Sequence, residues 1–102
     1  MGTSKRYAHV VAKQIDDQII RVVARGAALQ TLSAQELALD RYAVTIDPMP
    51  KPVKAWVRFD DVAVLVDAEA CRWTNRAVGI RFRVGDQEHR CWVWSSAVDT
   101  HP

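Results

Sequence analysis

The stretch Val53-Lys54-Ala55-Trp56-Val57-Arg58-Phe59 decides the fold. Apolar side chains alternate there with Lys54, Trp56 and Arg58, the period of two expected of a strand with one buried face. Asp60-Asp61 then reads as a turn. A second β run covers Val62 to about Trp73, long enough to require a bend or bulge near Asp67-Ala68. After a turn at Thr74-Asn75-Arg76, Val78, Ile80, Phe82 and Val84 alternate with Gly79, Arg81 and Arg83. Gly85-Asp86-Gln87 turns the chain once more, and His89, Cys91 and Val93 alternate with Arg90, Trp92 and Trp94. The pattern predicts four to five consecutive antiparallel strands over 53–98.

Upstream, Asp47-Pro48-Met49-Pro50-Lys51-Pro52 has prolines at alternate positions, which remove backbone donors and force extended geometry. It is expected to be a stiff connector at 47–52, outside helix and central strand alike. Before it lies a helical part, 8–41. From Val11 to Ala27 the apolar residues, Ile15, Ile19, Val22 and Val23 among them, fall within about 180° on a helical projection. Lys13, Asp17, Arg21 and Arg25 occupy the opposite arc, with Gly26 placed to end the helix. An amphipathic helix over about 10–26 is therefore expected. Ser33 with Glu36 has the form of a capping box and predicts a short second helix to about Arg41.

These elements predict an α+β fold in which the helix covers the apolar side of the sheet. A small SH3-like barrel or a curled sheet packed by the helix would satisfy that need. With 102 residues, 49% hydrophobic and 25% charged, the chain is the size and composition of one soluble domain, 1–102. Its first fourteen residues carry Lys5, Arg6 and Lys13 without the apolar run of a signal peptide, and no stretch has the length of a membrane span. A cytoplasmic protein with reduced thiols and no membrane partner is expected.

A formal net charge of +2 excludes a bulk polyanion binder, so any nucleic-acid role must come from local arrangement. The strand period supplies one. If Ala55, Val57, Phe59, Ile80, Phe82, Val84, Cys91 and Val93 point inward, then Lys54, Trp56, Arg58, Arg81, Arg83, Arg90, Trp92 and Trp94 share the outer face. Guanidinium groups pair with phosphates and indoles stack on unpaired bases, so these eight residues form a candidate binding face for single-stranded nucleic acid. The same face also suits an acidic or proline-rich peptide, because tryptophan-lined grooves accept extended ligands. The alternative is a protein-interaction or self-associating module, homo-oligomer included, with the helix face or the exposed sheet edge supplying the contact. In that case the Arg/Trp face is purely structural: the arginines stack over the tryptophans, or the helix covers Trp56, Trp92 and Trp94.

Cys71, His89 and Cys91 make an incomplete ligand set without paired zinc spacings, so no metal is assigned. His89 and Cys91 lie on one strand with no third group to orient them, and Asp16-Asp17 and Asp60-Asp61 point their side chains in divergent directions. No glycine-rich phosphate loop is present. The reading is a non-catalytic module without a cofactor.

Overall fold

A computed structural model describes residues 19–99, and five antiparallel strands account for most of them. They are β1 (Thr45–Phe59), β2 (Val62–Trp73), β3 (Ala77–Val84), β4 (Gln87–Trp94) and β5 (Val98–Asp99), in the order β4-β3-β2-β1-β5. The sheet is not closed by strand pairing. Helix α1 is described over 19–24. Positions 10–18 of the expected helix lie outside the described residues. Among those described, no helix is long and apolar enough to cross a membrane.

The alternation read from the sequence sets the burial. Val53, Ala55, Val57 and Phe59 of β1 are buried, as are Val64 and Val66 of β2, Ile80 and Phe82 of β3, and Cys91 and Val93 of β4. Ile19 and Val22 of α1 join the same cluster, so the helix covers the apolar side of the sheet. At its end, Gly26 N–H donates to the Val23 carbonyl at 3.0 Å and Ala27 N–H to that of Val22 at 3.2 Å. This paired capping motif requires a left-handed residue, and Gly26 has φ of 77°. Phe59 anchors the interior, edge-on to Phe82 at 6.3 Å and to His89 at 5.9 Å.

Three expectations need correction. The proline segment at 47–52 is not a connector outside the sheet, because β1 runs through it. Ile46 pairs with Arg72 and Lys51 with Ala70, so residues 47–50 face Cys71 alone and the chain arches off the ladder. Pro48 and Pro50 sit in that arch, and Pro52 lies where β1 has only β2 beside it, since β5 pairs only with Lys54 and Ala55. Prolines are tolerated in strands at such bulges and edges because the missing N–H has no ladder partner to lose.

The bulge in β2 falls at Cys71, not at Asp67-Ala68, whose pairing with Lys54 and Val53 is regular. Against β3, Ala70 pairs with Ile80 and Arg72 with Gly79, which leaves Cys71 as the extra residue. The second helix, α2 (Ala34–Leu37), stops short of Arg41. Its capping box forms as read: the Ser33 hydroxyl accepts from Glu36 N–H at 3.1 Å, and the Glu36 carboxylate accepts from Ser33 N–H at 2.9 Å. Ala38 then turns left-handed, with φ of 48°, and Arg41 and Tyr42 N–H both bond its carbonyl. The chain thereby leaves the helix axis, and the Tyr42 ring lies under Arg76, whose Cζ is 4.8 Å from the ring centroid.

Candidate binding groove

The segment between α1 and α2 works as a strap. Asp60 N–H donates to the Ala28 carbonyl and Gln30 N–H to that of Arg58, each at 2.8 Å, which fastens the segment to the end of β1. Leu32 N–H donates to the Trp92 carbonyl at 3.0 Å, and Trp92 N–H to the Thr31 hydroxyl at 2.9 Å, which fastens it to β4. Residues 28–32 therefore bridge β1 and β4, strands that do not pair with each other.

Beside this strap lies an open groove of about 620 Å³ lined by Trp56, Arg58, Trp92 and Trp94, with Thr31, Leu32, Glu36, Asp60 and Ala97 among its other walls. Trp56 is 53% exposed, a large apolar side chain left in water by the outward register of β1. Trp92 and Trp94 are half-buried. Trp92 owes its position to Gly79, the residue paired with it on β3. A Cβ at Gly79 would stand 3.3 Å from the Trp92 ring and 2.8 Å from Arg72 Cγ. The Arg72 stem and the indole thus both crowd over a backbone that has no side chain. Trp94 carries the Arg76 guanidinium 5.2 Å from its ring centroid, a cation–π contact continued to Tyr42.

The remaining four expected site residues stand apart from the groove. Lys54 Nζ lies 3.1 Å from Asp67, its cross-strand partner. Arg81 donates to Glu69 at 2.9 Å and Arg90 to Glu88 at 3.0 Å. Arg81 and Arg90 face each other across β3 and β4, and like charges so placed repel, so each guanidinium takes a carboxylate. Glu69 raises the Arg81 pKa through its hydrogen bond and charge, and Arg90 lowers that of Glu88 in the same way. Arg83 donates to the Asp86 carbonyl at 3.4 Å. Arg58, inside the groove, reaches the Asp61 carbonyl at 3.5 Å.

Period-two reasoning found the three tryptophans and Arg58. It missed Thr31, Leu32 and Glu36, because a strap that spans strands non-adjacent in the sheet leaves no periodic signal. It also missed the Arg76 contact with Trp94 and the crowding of Arg72 and Trp92 over Gly79.

A second hollow of about 680 Å³ lies by the proline arch, lined by Val53, Ala70, Trp73, Val78 and Val98. Its charged residues already face one another: Lys54 with Asp67, and Lys51 with Asp47 at 3.9 Å. Cys91 is buried, which pushes its thiol from 9.0 up to about 11, and both cysteines are free. His89 stacks on Phe82 at 5.3 Å. Among the described residues no group of three or more His, Cys, Asp or Glu side chains is placed to hold a metal ion. The chain matches no protein-family model, no curated protein and no solved structure.

Proposed function

We propose that the protein is a small non-catalytic binding module whose groove beside the strap receives an extended peptide segment. The observation that carries this reading is the convergence of Trp56, Trp92 and Trp94 on one open groove. Indole walls suit extended, proline-bearing chains because such segments have little conformational entropy to lose and offer flat apolar faces. The five antiparallel strands, with the strap bridging β1 and β4, read as a small SH3-like barrel closed by the strap. Two free cysteines suit the reducing cytoplasm.

Glu36 and Asp60 in the lining, and the ion pairs that occupy Lys54, Arg81 and Arg90, weaken the pull on a phosphate backbone. A second reading, single-stranded nucleic acid, is favoured by one local feature, Arg58 beside the exposed Trp56.

Tryptophan fluorescence separates the two. Titration with a proline-rich decapeptide is expected to shift the emission, and Trp56→Ala to weaken binding by about tenfold or more, as for a hot-spot aromatic. Trp56 is exposed, so the variant keeps its fold. A peptide that leaves the emission unchanged, while oligothymidylate quenches it with an affinity that falls steeply as salt rises, would transfer the groove to nucleic acid.

A further inference from the structure

We infer that the proline arch of one copy of this chain docks in the tryptophan groove of another. The inference rests on the peptide-binding reading and names its partner. The arch is built as a ligand: four residues of β1 stand against Cys71 alone, so they leave the sheet as a protruding loop. Met49 is 78% exposed and the flanking Ile46 65%, whereas Pro50 is half-buried and the Asp47 side chain only 10% exposed. Pro48 and Pro52 are exposed as well. The Asp47 carboxylate accepts from Met49 N–H at 2.9 Å, which fixes the turn, so the loop loses little freedom on docking.

Charge and chemistry match across the two surfaces. Lys51 sits at the end of the arch, its side chain 77% exposed and held by Asp47 only at the long distance of 3.9 Å, so its ammonium can turn to the carboxylates of Glu36 and Asp60 that the groove presents. Met49 is unbranched and polarizable and makes favourable sulfur contacts with aromatic rings. The prolines supply the flat faces that indoles accept. Arch and groove share no lining residue, so among the described residues one copy holds both a ligand and a receptor. A contact made by one short loop covers much less than the roughly 800 Å² per partner of a standard interface, so the dissociation constant is expected on the order of 0.1–1 mM.

The test uses the full chain at rising concentration. Sedimentation velocity from about 10 µM to about 1 mM should show a growing mass, since that range brackets the expected affinity. Met49→Asp and Trp56→Ala, both at exposed positions, should each leave a monomer throughout. An equimolar mixture of the two should recover 1:1 pairs, because one variant keeps its groove and the other its arch. A synthetic peptide of residues 44–54 added to the Met49→Asp chain should shift the indole N–H resonances of Trp56, Trp92 and Trp94. A wild-type chain that stays monomeric at the upper concentration, or a mixture that fails to pair, overturns the inference. If the groove takes foreign proline-rich peptides but ignores residues 44–54, self-docking falls and the peptide reading stands. If it takes neither, both fall.

Discussion

Cys91 shows how one buried side chain ties stability to pH. It is 5% exposed between the strands and α1, and desolvation of the thiolate carries its pKa to about 11. The folded state therefore holds the thiol proton more tightly than the unfolded chain. That contribution is fully present below pH 9.0 and is lost as the pH rises through about 11. A shift of this size corresponds to about 3 kcal/mol. Urea titrations at the two ends of the window should show the wild type weakening by that order as pH rises. Cys91→Ala, less stable throughout because of its cavity, should lack this part of the slope. Equal slopes would show that the thiol has no part in it. The strand period already placed Cys91 inward, whereas its protonation depends on burial in the assembled core, which no local pattern names.

At the scale of elements, α2 is four residues held by its cap. Ser33→Ala removes the hydroxyl that accepts from Glu36 N–H and should cost about 1 kcal/mol locally. Because Glu36 also lines the groove, faster hydrogen exchange at its amide should accompany weaker peptide binding. Unchanged exchange there would mean that packing at Leu37 alone holds the helix. The box was legible because its two partners stand three residues apart. The end of the helix was not, since the left-handed cap is taken by Ala38, a residue that favours helix, where no glycine marks the stop. The proline segment misled for the opposite reason. Local chemistry correctly denies Pro48, Pro50 and Pro52 a place in a fully paired strand, but only the sheet order shows that β1 has a free flank there.

For the whole molecule, the strand alternation was enough to assign the inward and outward faces of β1, β3 and β4, and the helix found its apolar partner as expected. The division of the outer face into a groove and a field of ion pairs was not legible, because it arises from pairing across strands and from the strap. The +2 net charge therefore conceals no basic patch at Lys54, Arg81 and Arg90, where each cation has its carboxylate. The strap itself can be probed with Thr31→Val, which keeps the shape of the side chain but removes the acceptor for Trp92 N–H. A loss of about 1 kcal/mol is expected, with roughly tenfold faster exchange at the Trp92 amide. No change in that exchange rate would mean that the Leu32 N–H bond to the Trp92 carbonyl holds the strap on β4 without Thr31.

That same bond joins residues 61 positions apart in sequence. Hairpins β1–β2, β2–β3 and β3–β4 close over short loops, whereas the strap must find β4 across most of the chain, and contacts of such separation form late and slowly. On loop-closure entropy the groove is expected to form after the hairpins. A chain arrested at the hairpin stage has its sheet but no receptor, so ligand binding reports completed assembly.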